Sequence, residues 1–337
     1  MSIRIDGQTR RIGLALSGGG FRATAFHLGT FRKLQAMGIL WKLDLLTCVS
    51  GGSIAGAYLA RHWGDDRALD RLDEYLRTTS IAVASVVAGA LDPFESRLDK
   101  LAATYDRDLY GSVTLADLDG GPRLYLNATN LASGNMFFFV TGEGKGAELG
   151  EHELGVRPAG RFPLARAVAA SSAFPPVFPP LKLTKQDYDV PDVDYVTLTD
   201  GGVYDNLGAN PLFRVRNDLD YALVSDAGKP FDIEDHPTEW GSIVLKEAIG
   251  ITMEQIRGLQ FKRLELSMGP GQRMKAVWFS IDSEIGEAQA GDAAFASAVG
   301  TNLKKLGKRE MSVLTRHAAA LLTNRIDTYA PELNRAT

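Results

Sequence analysis

Three short turns in the chain hold residues suited to chemistry. In Cys48-Val49-Ser50-Gly51-Gly52 a serine stands between an apolar run, residues 45–49, and a helical stretch, residues 54–62. That order approximates a Gly-x-Ser-x-Gly nucleophile elbow, with Cys48 in place of the first glycine. A sharp strand-to-helix turn lifts a hydroxyl out of a sheet, and small neighbours such as Gly52 let the helix pack on the strand. The helix N-terminus also sets backbone N–H groups beside the reacting atom. A capping serine in a glycine-rich turn would have the same spacing. Ser53 is the competing nucleophile about one turn further on, but Ser50 holds the strand-end position that an elbow requires.

The second turn is Ser17-Gly18-Gly19-Gly20-Phe21-Arg22-Ala23, again between a strand and a helix. Gly18-x-Gly20-x-x-Ala23 fits the looser dinucleotide fingerprint, yet the ribose-binding acid should close the second strand, and Asp44 opens it. A Walker-type Gly-Lys-Ser/Thr is absent. A tight turn joining strand to helix accounts for the glycines without any function. The other functional reading is an oxyanion hole in which Gly18, Gly19 and Gly20 expose N–H groups at a helix N-terminus, with Arg22 adding positive charge or anchoring the loop. The third turn, Asp200-Gly201-Gly202, would alone be an ordinary turn. Placed directly after a strand, it sets Asp200 at the carboxyl end of a sheet beside Gly20 and Ser50, where a serine needs a base.

Of the five histidines, His27, His62 and His317 fall within helical stretches and are expected to be structural. His236 follows Asp200 in a polar loop and could complete a Ser–Asp–His triad. No carboxylate or histidine cluster has metal-ligand spacing.

Two strand–glycine turn–helix units within residues 11–62 predict a parallel sheet with crossover helices. Helices are expected over residues 65–120, including an apolar patch at 81–91 that either packs on the body or covers an apolar site. Strands follow at 123–130, 135–140, 194–199 and 221–225. Residues 174–180 hold four prolines and exclude a regular helix or central strand. Leu314, Ala318, Leu321 and Leu322 form the stripe of a docked helix near the C-terminus.

The chain's 337 residues are enough for a large core without staples. With 37 Lys and Arg against 41 Asp and Glu, the net charge of −4 argues against a nucleic-acid binder. A single cysteine, Cys48, leaves no internal disulfide and fits a reducing compartment. The uncharged run at 124–142 is punctuated by asparagines, and the N-terminus lacks an apolar signal region, so a soluble cytoplasmic protein is expected.

Taken in order, the three motifs resemble those of the patatin-like phospholipases: a glycine-rich Gly-Gly-Gly-x-Arg/Lys-Gly loop, a serine elbow about 30 residues later and a distant Asp-Gly-Gly/Ala. Residues 170–175 and Asn127-Ala128-Thr129-Asn130 are similar to further segments of that family, and the resemblance spans about residues 13–206. Ala23 and Cys48 depart from the family's glycines, and both are small. The resemblance implies a three-layer α/β/α fold with a central, mostly parallel sheet, and acyl-ester hydrolysis in lipids by a Ser–Asp dyad without histidine. On that basis Ser50 is the nucleophile, Asp200 the base, and Gly18, Gly19 and Gly20 the oxyanion donors, supported by Arg22, Gly52, Gly201 and Gly202. The expected organisation is a catalytic region at 8–227 and a mainly helical C-terminal part at 228–337 packed on the same domain. Expected partners are a phospholipid or other acyl-ester lipid at a membrane or micelle surface, with no nucleic acid, cofactor or metal. The alternatives are a triad esterase using His236 and a non-catalytic lipid- or nucleotide-binding module.

Overall fold

The structure is a computed structural model that describes residues 3–81, 97–191, 193–231, 239–268, 274–286 and 288–336. A hairpin of β1 (Ile3–Ile5) and β2 (Gln8–Arg10) precedes the first central strand, β3 (Ile12–Leu16). The glycine turn then leads into α1 (Gly20–Ala36), which ends at Gly38 with φ 72°. Next come β4 (Leu45–Cys48), α2 (Gly51–Arg61), α3 (Ala68–Thr78) and α4 (Arg97–Tyr105). Most of the apolar patch at 81–91 lies outside the described residues; Ile81 is buried.

The strands β5 (Arg123–Asn130), β6 (Met136–Thr141), β7 (Glu148–Glu151) and β8 (Gly155–Pro158) are followed by α5 (Leu164–Ser171). After β9 (Leu181–Thr184) and β10 (Tyr195–Asp200) come the single-turn α6 (Gly202–Asp205) and β11 (Tyr221–Asp226). The chain closes with α7 (Gly241–Ser267), β12 (Lys275–Ser280), α8 (Asp292–Ala298) and α9 (Lys308–Tyr329).

The parallel pairing expected from the strand–turn–helix units holds in the order β12-β11-β3-β4-β5. Beyond β5 the neighbours β6, β7 and β8 run antiparallel, so the sheet as a whole is mixed. Short hairpins suffice there, because an antiparallel return needs no crossover helix. The strand β12 lies within the stretch expected to be mainly helical, and it forms the sheet's edge beside β11.

Alternation along the strands sends side chains to two cores. Leu14, Leu16, Leu124, Leu126, Leu223 and Phe279 face a large cluster with Phe21, Phe26 and Phe31 of α1 and Leu314 and Leu321 of α9. Ala15, Tyr125, Phe138, Ala222 and Val224 face the other way, under Leu207, Leu212 and Leu219, which precede β11, and Leu264 of α7. The result is an α/β fold in which helices flank both faces of the central sheet. The helix α9 docks directly on α1: a Cβ on Gly29 would lie 2.3 Å from the Thr315 carbonyl oxygen. Among the described residues no helix is long and apolar enough to cross a membrane.

Candidate active site

Ser50 joins β4 to α2 with φ 52° and ψ −117°, a combination that a residue with a Cβ holds only where its surroundings impose it. Those surroundings are glycines and a serine from α5. A Cβ on Gly51 would come within 2.2 Å of the Gly20 carbonyl oxygen, and one on Gly52 within 2.2 Å of that of Leu16. Both contacts are to backbone, so Gly52→Ala is expected to cost at least about 1–3 kcal/mol, measurable by denaturant unfolding.

The Ser50 N–H donates to the Ser171 carbonyl oxygen and to its Oγ, both at 3.1 Å. Ser171 Oγ in turn donates to the Asn127 carbonyl oxygen at 2.6 Å. Its one proton is thereby used, so Ser53 Oγ, 2.8 Å away, must be the donor in the Ser53–Ser171 hydrogen bond. Ser53 is fully buried and its hydroxyl proton is committed to this bond.

The sheet register brings Asp200 to Ser50. On one side of β5, β4 runs parallel as far as the pair Cys48–Leu126. On that same side β10 approaches antiparallel and ends at the pair Asp200–Ala128, while β6 occupies the other side. The two strands therefore run head-on along one edge, their carboxyl ends separated by two residues of β5, about 7 Å. Asp200 reaches the carboxyl edge on an antiparallel strand, and not on one of the parallel strands as its position after a strand suggested. Asn127 faces the gap between the strand ends. Its Nδ2 donates to Thr47 Oγ1 at 2.9 Å and the Cys48 carbonyl oxygen at 3.2 Å, and its own carbonyl oxygen would lie 2.3 Å from a Cβ on Gly201.

Asp200 is 1 % exposed. Its Oδ1 accepts the Gly202 N–H at 2.7 Å, and its Oδ2 is buried without a well-formed hydrogen bond. Burial pushes the carboxyl pKa up to about 7, against the opposing pull of the Gly202 N–H and of the nearby Ser50 hydroxyl.

The glycine loop lies over the serine, where a Cβ on Gly18 would sit 3.2 Å from Ser50 Cβ. Gly18 was expected to be an oxyanion donor, but its N–H is spent on the Asn206 carbonyl oxygen at 3.1 Å. The N–H groups of Gly19, Gly20 and Gly51 have no acceptor among the described residues. Gly19 (φ 141°) and Gly20 (φ 60°) take a positive φ that a side chain would strain.

Arg22 is buried, with its guanidinium against the glycine loop, where a Cβ on Gly19 would lie 2.9 Å from Nη2. It donates to the carbonyl oxygens of Ala227 (3.0 Å) and Val299 (3.0 Å), and so ties the loop to the ends of two distant segments. Burial lowers its pKa to about 10, with Asp226 opposing, so it stays charged at neutral pH. The Phe21 N–H adds a bond to the Asn302 carbonyl oxygen at 2.9 Å. Nothing in the sequence after about residue 227 marked these buttresses, because each acts through a backbone carbonyl.

The described histidines are placed away from this cleft chemistry. His27 is fully buried, with its ring nitrogens 2.9 Å from Ser225 Oγ and the Ser17 carbonyl oxygen, and burial lowers its pKa to about 4. His317 Nε2 meets the Ile281 carbonyl oxygen at 2.9 Å. His62 packs on Tyr58, and His152 is exposed beside Glu153. His236 lies outside the described residues. No group of three His, Cys, Asp or Glu side chains that could hold a metal ion occurs among the described residues.

The profile of the patatin-like phospholipases matches residues 14–213, which contain the glycine loop, the serine elbow and the aspartate turn. The chain belongs to the patatin-like phospholipase family. This patatin-like chain also shares its fold with human GIVD cytosolic phospholipase A2, at 13% identity and a TM-score of 0.61, over 97% of this chain and 60% of the other. The same human enzyme in complex with methyl gamma-linolenyl fluorophosphonate gives a TM-score of 0.59 at 13% identity, over 97% and 58%. The chain thus spans about three fifths of these structures' length. No curated protein sequence matches it significantly.

Proposed function

We propose that this protein is a lipid acyl hydrolase that cleaves phospholipid or other acyl-ester lipids through a Ser50–Asp200 dyad. The observation that carries the reading is the head-on approach of β4 and β10, which sets a strained serine and a buried carboxylate side by side against a glycine loop whose Gly19 and Gly20 N–H groups have no acceptor among the described residues. Membership in the patatin-like phospholipase family supports a lipid ester as substrate. Ser50 Oγ attacks the ester carbonyl carbon while Asp200 takes its proton. The N–H groups of Gly19, Gly20 and Gly51 hold the oxyanion of the tetrahedral intermediate. Asp200 then returns the proton to the departing alkoxide oxygen, leaving Ser50 acylated. Water repeats the sequence in the second half: Asp200 accepts its proton as the oxygen adds to the acyl carbon, then returns that proton to Ser50 Oγ as the acyl–serine bond breaks and the fatty acid is released.

A panel of phospholipids, lysophospholipids and short-chain esters, compared between wild type and Ser50→Ala, tests the reading. Fatty acid release by the wild type alone supports it, and release by neither or by both refutes it. Two further outcomes are expected. Gly19→Ala would place a Cβ 3.0 Å from the Ala227 carbonyl oxygen and twist the loop. A folded Gly19→Ala protein should lose roughly 10²–10³ in turnover, the usual cost of one oxyanion donor. The dyad calls for no cation, so turnover of a dispersed ester should survive extensive chelation.

A further inference from the structure

The helix α7 is apolar on two opposite sides, and among the described residues only one of them is covered. Successive residues turn about 100° around a helix, so Met253, Arg257 and Leu264 share one side. There Met253 Cε would meet a Cβ on Gly202 at 3.0 Å, and Leu264 is buried. Arg257 donates to the buried Asp226 carboxylate and to Ser280 Oγ, both at 2.7 Å. Gly202, Asp226 and Ser280 follow or end β10, β11 and β12, so the Met253–Arg257 part of α7 crosses the carboxyl edge of the sheet next to Asp200, while Phe261, packed on Trp278, and Leu264 lie over the second face. On the opposite side Val244, Ile251, Leu259 and Leu266 fall within about 80° of one another. They are 44, 48, 71 and 70% exposed, and Leu245 and Trp240, at 64 and 78%, extend the stripe at its N-terminal end.

An exposed apolar patch of this length marks a docking surface. Charge decides between occupants. Within the arc of about 80° held by those four aliphatic residues, the only ionic side chain among the described residues is Lys262, which pairs with Glu265 Oε2 at 2.9 Å, while Glu247 and Glu254 lie with Glu265 on one flank and Arg263 on the other. Pairing with a second copy of the helix would bury Lys262 and Gln255 in an apolar seam. A lipid surface takes the aliphatic chains among its acyl tails, Lys262 among its phosphates and Trp240 at the boundary.

We propose that the outward face of α7 docks the protein on a phospholipid surface and holds the Ser50 site against it. The proposal rests on the lipid hydrolase reading for its purpose, although the docking itself is measured without turnover. Phosphatidylcholine–phosphatidylglycerol vesicles should sediment both the wild type and Ser50→Ala. Leu259→Gln with Leu266→Gln should weaken vesicle binding by about tenfold or more for each leucine. Its hydrolysis of vesicle lipid should fall in parallel, and its hydrolysis of a dispersed short-chain ester should stay unchanged. Vesicles should shift the wild-type tryptophan emission to the blue, and Trp240→Phe should remove most of that shift.

Undiminished vesicle binding by the double variant, or no binding by the wild type, overturns the proposal. So does a wild-type dimer that the double variant dissolves, which would assign the face to a second copy. If the double variant loses binding but no ester is hydrolysed by any form, the docking surface stands and the hydrolase reading is what fails.

Discussion

Ser50→Ala is expected to lose at least about 10⁴-fold in ester turnover and all labelling by a fluorophosphonate, the largest effect of any single substitution here. The expectation starts from the backbone. At φ 52° and ψ −117° the serine is held where only a tightly built turn would keep it, and glycines 51 and 52 admit no side chain on the adjoining helix turn. The turn holds Ser50 beside the Asp200 carboxylate and against the glycine loop, where the N–H groups of Gly19 and Gly20 have no acceptor among the described residues. Ser53 has the opposite circumstances, since it is buried within α2 and its proton is committed to Ser171. Ser53→Ala should therefore keep most activity and all labelling, and mass spectrometry should find the adduct on the peptide containing Ser50. An adduct on Ser53, or an active Ser50→Ala protein, would refute the assignment.

The parts of this site legible in the sequence are those where a backbone conformation demands a residue type. Glycine runs at strand ends mark places where a Cβ cannot fit, and at Gly20, Gly51 and Gly52 the obstacle is another segment's backbone within 2.5 Å. The serine and aspartate stand beside such runs, so the three turns could be picked out together. What could not be read is how they meet. That depends on β10 running antiparallel into the line of β4, a register fixed by the hairpin partner β9 and by β5, and no local pattern encodes it.

The buttresses were hidden for a related reason. Val299, Asn302 and Ala227 act through carbonyl oxygens, which any residue supplies. Gly18 was misassigned as a donor because the three glycines look alike in sequence, and only the fold aims the first N–H at Asn206. The edge strand β12 was only partly legible: Gly269-Pro270-Gly271 punctuates the chain before its apolar run, but its six residues follow a 27-residue helix and end in no glycine-rich turn like those after β3 and β4.

Asp200→Asn should fold, lose nearly all turnover and become more stable than the wild type at alkaline pH. A base works only when ionised, and burial has raised this carboxyl from 3.8 to about 7. Turnover of the wild type should accordingly rise with pH through an acid limb centred near 7, falling about tenfold for each pH unit below it. The same shift sets the sign of the stability effect. Between about pH 4 and 7 the folded chain retains a proton that the unfolded chain has released, so ionisation favours unfolding. The penalty is absent below about pH 4, grows as pH rises and is complete above about 7, where it is on the order of 4 kcal/mol. Asparagine cannot ionise, and its Oδ1 can still accept the Gly202 N–H. The variant should therefore match the wild type near pH 4 and exceed it in unfolding free energy at pH 8 by a few kcal/mol. His236→Ala and His317→Ala should each keep most activity and the same acid limb. A folded His236→Ala protein as inactive as Ser50→Ala would replace the dyad with a triad. An Asp200→Asn protein that gains no stability at pH 8 would mean that the carboxyl is not the buried, raised group that a base in this position has to be.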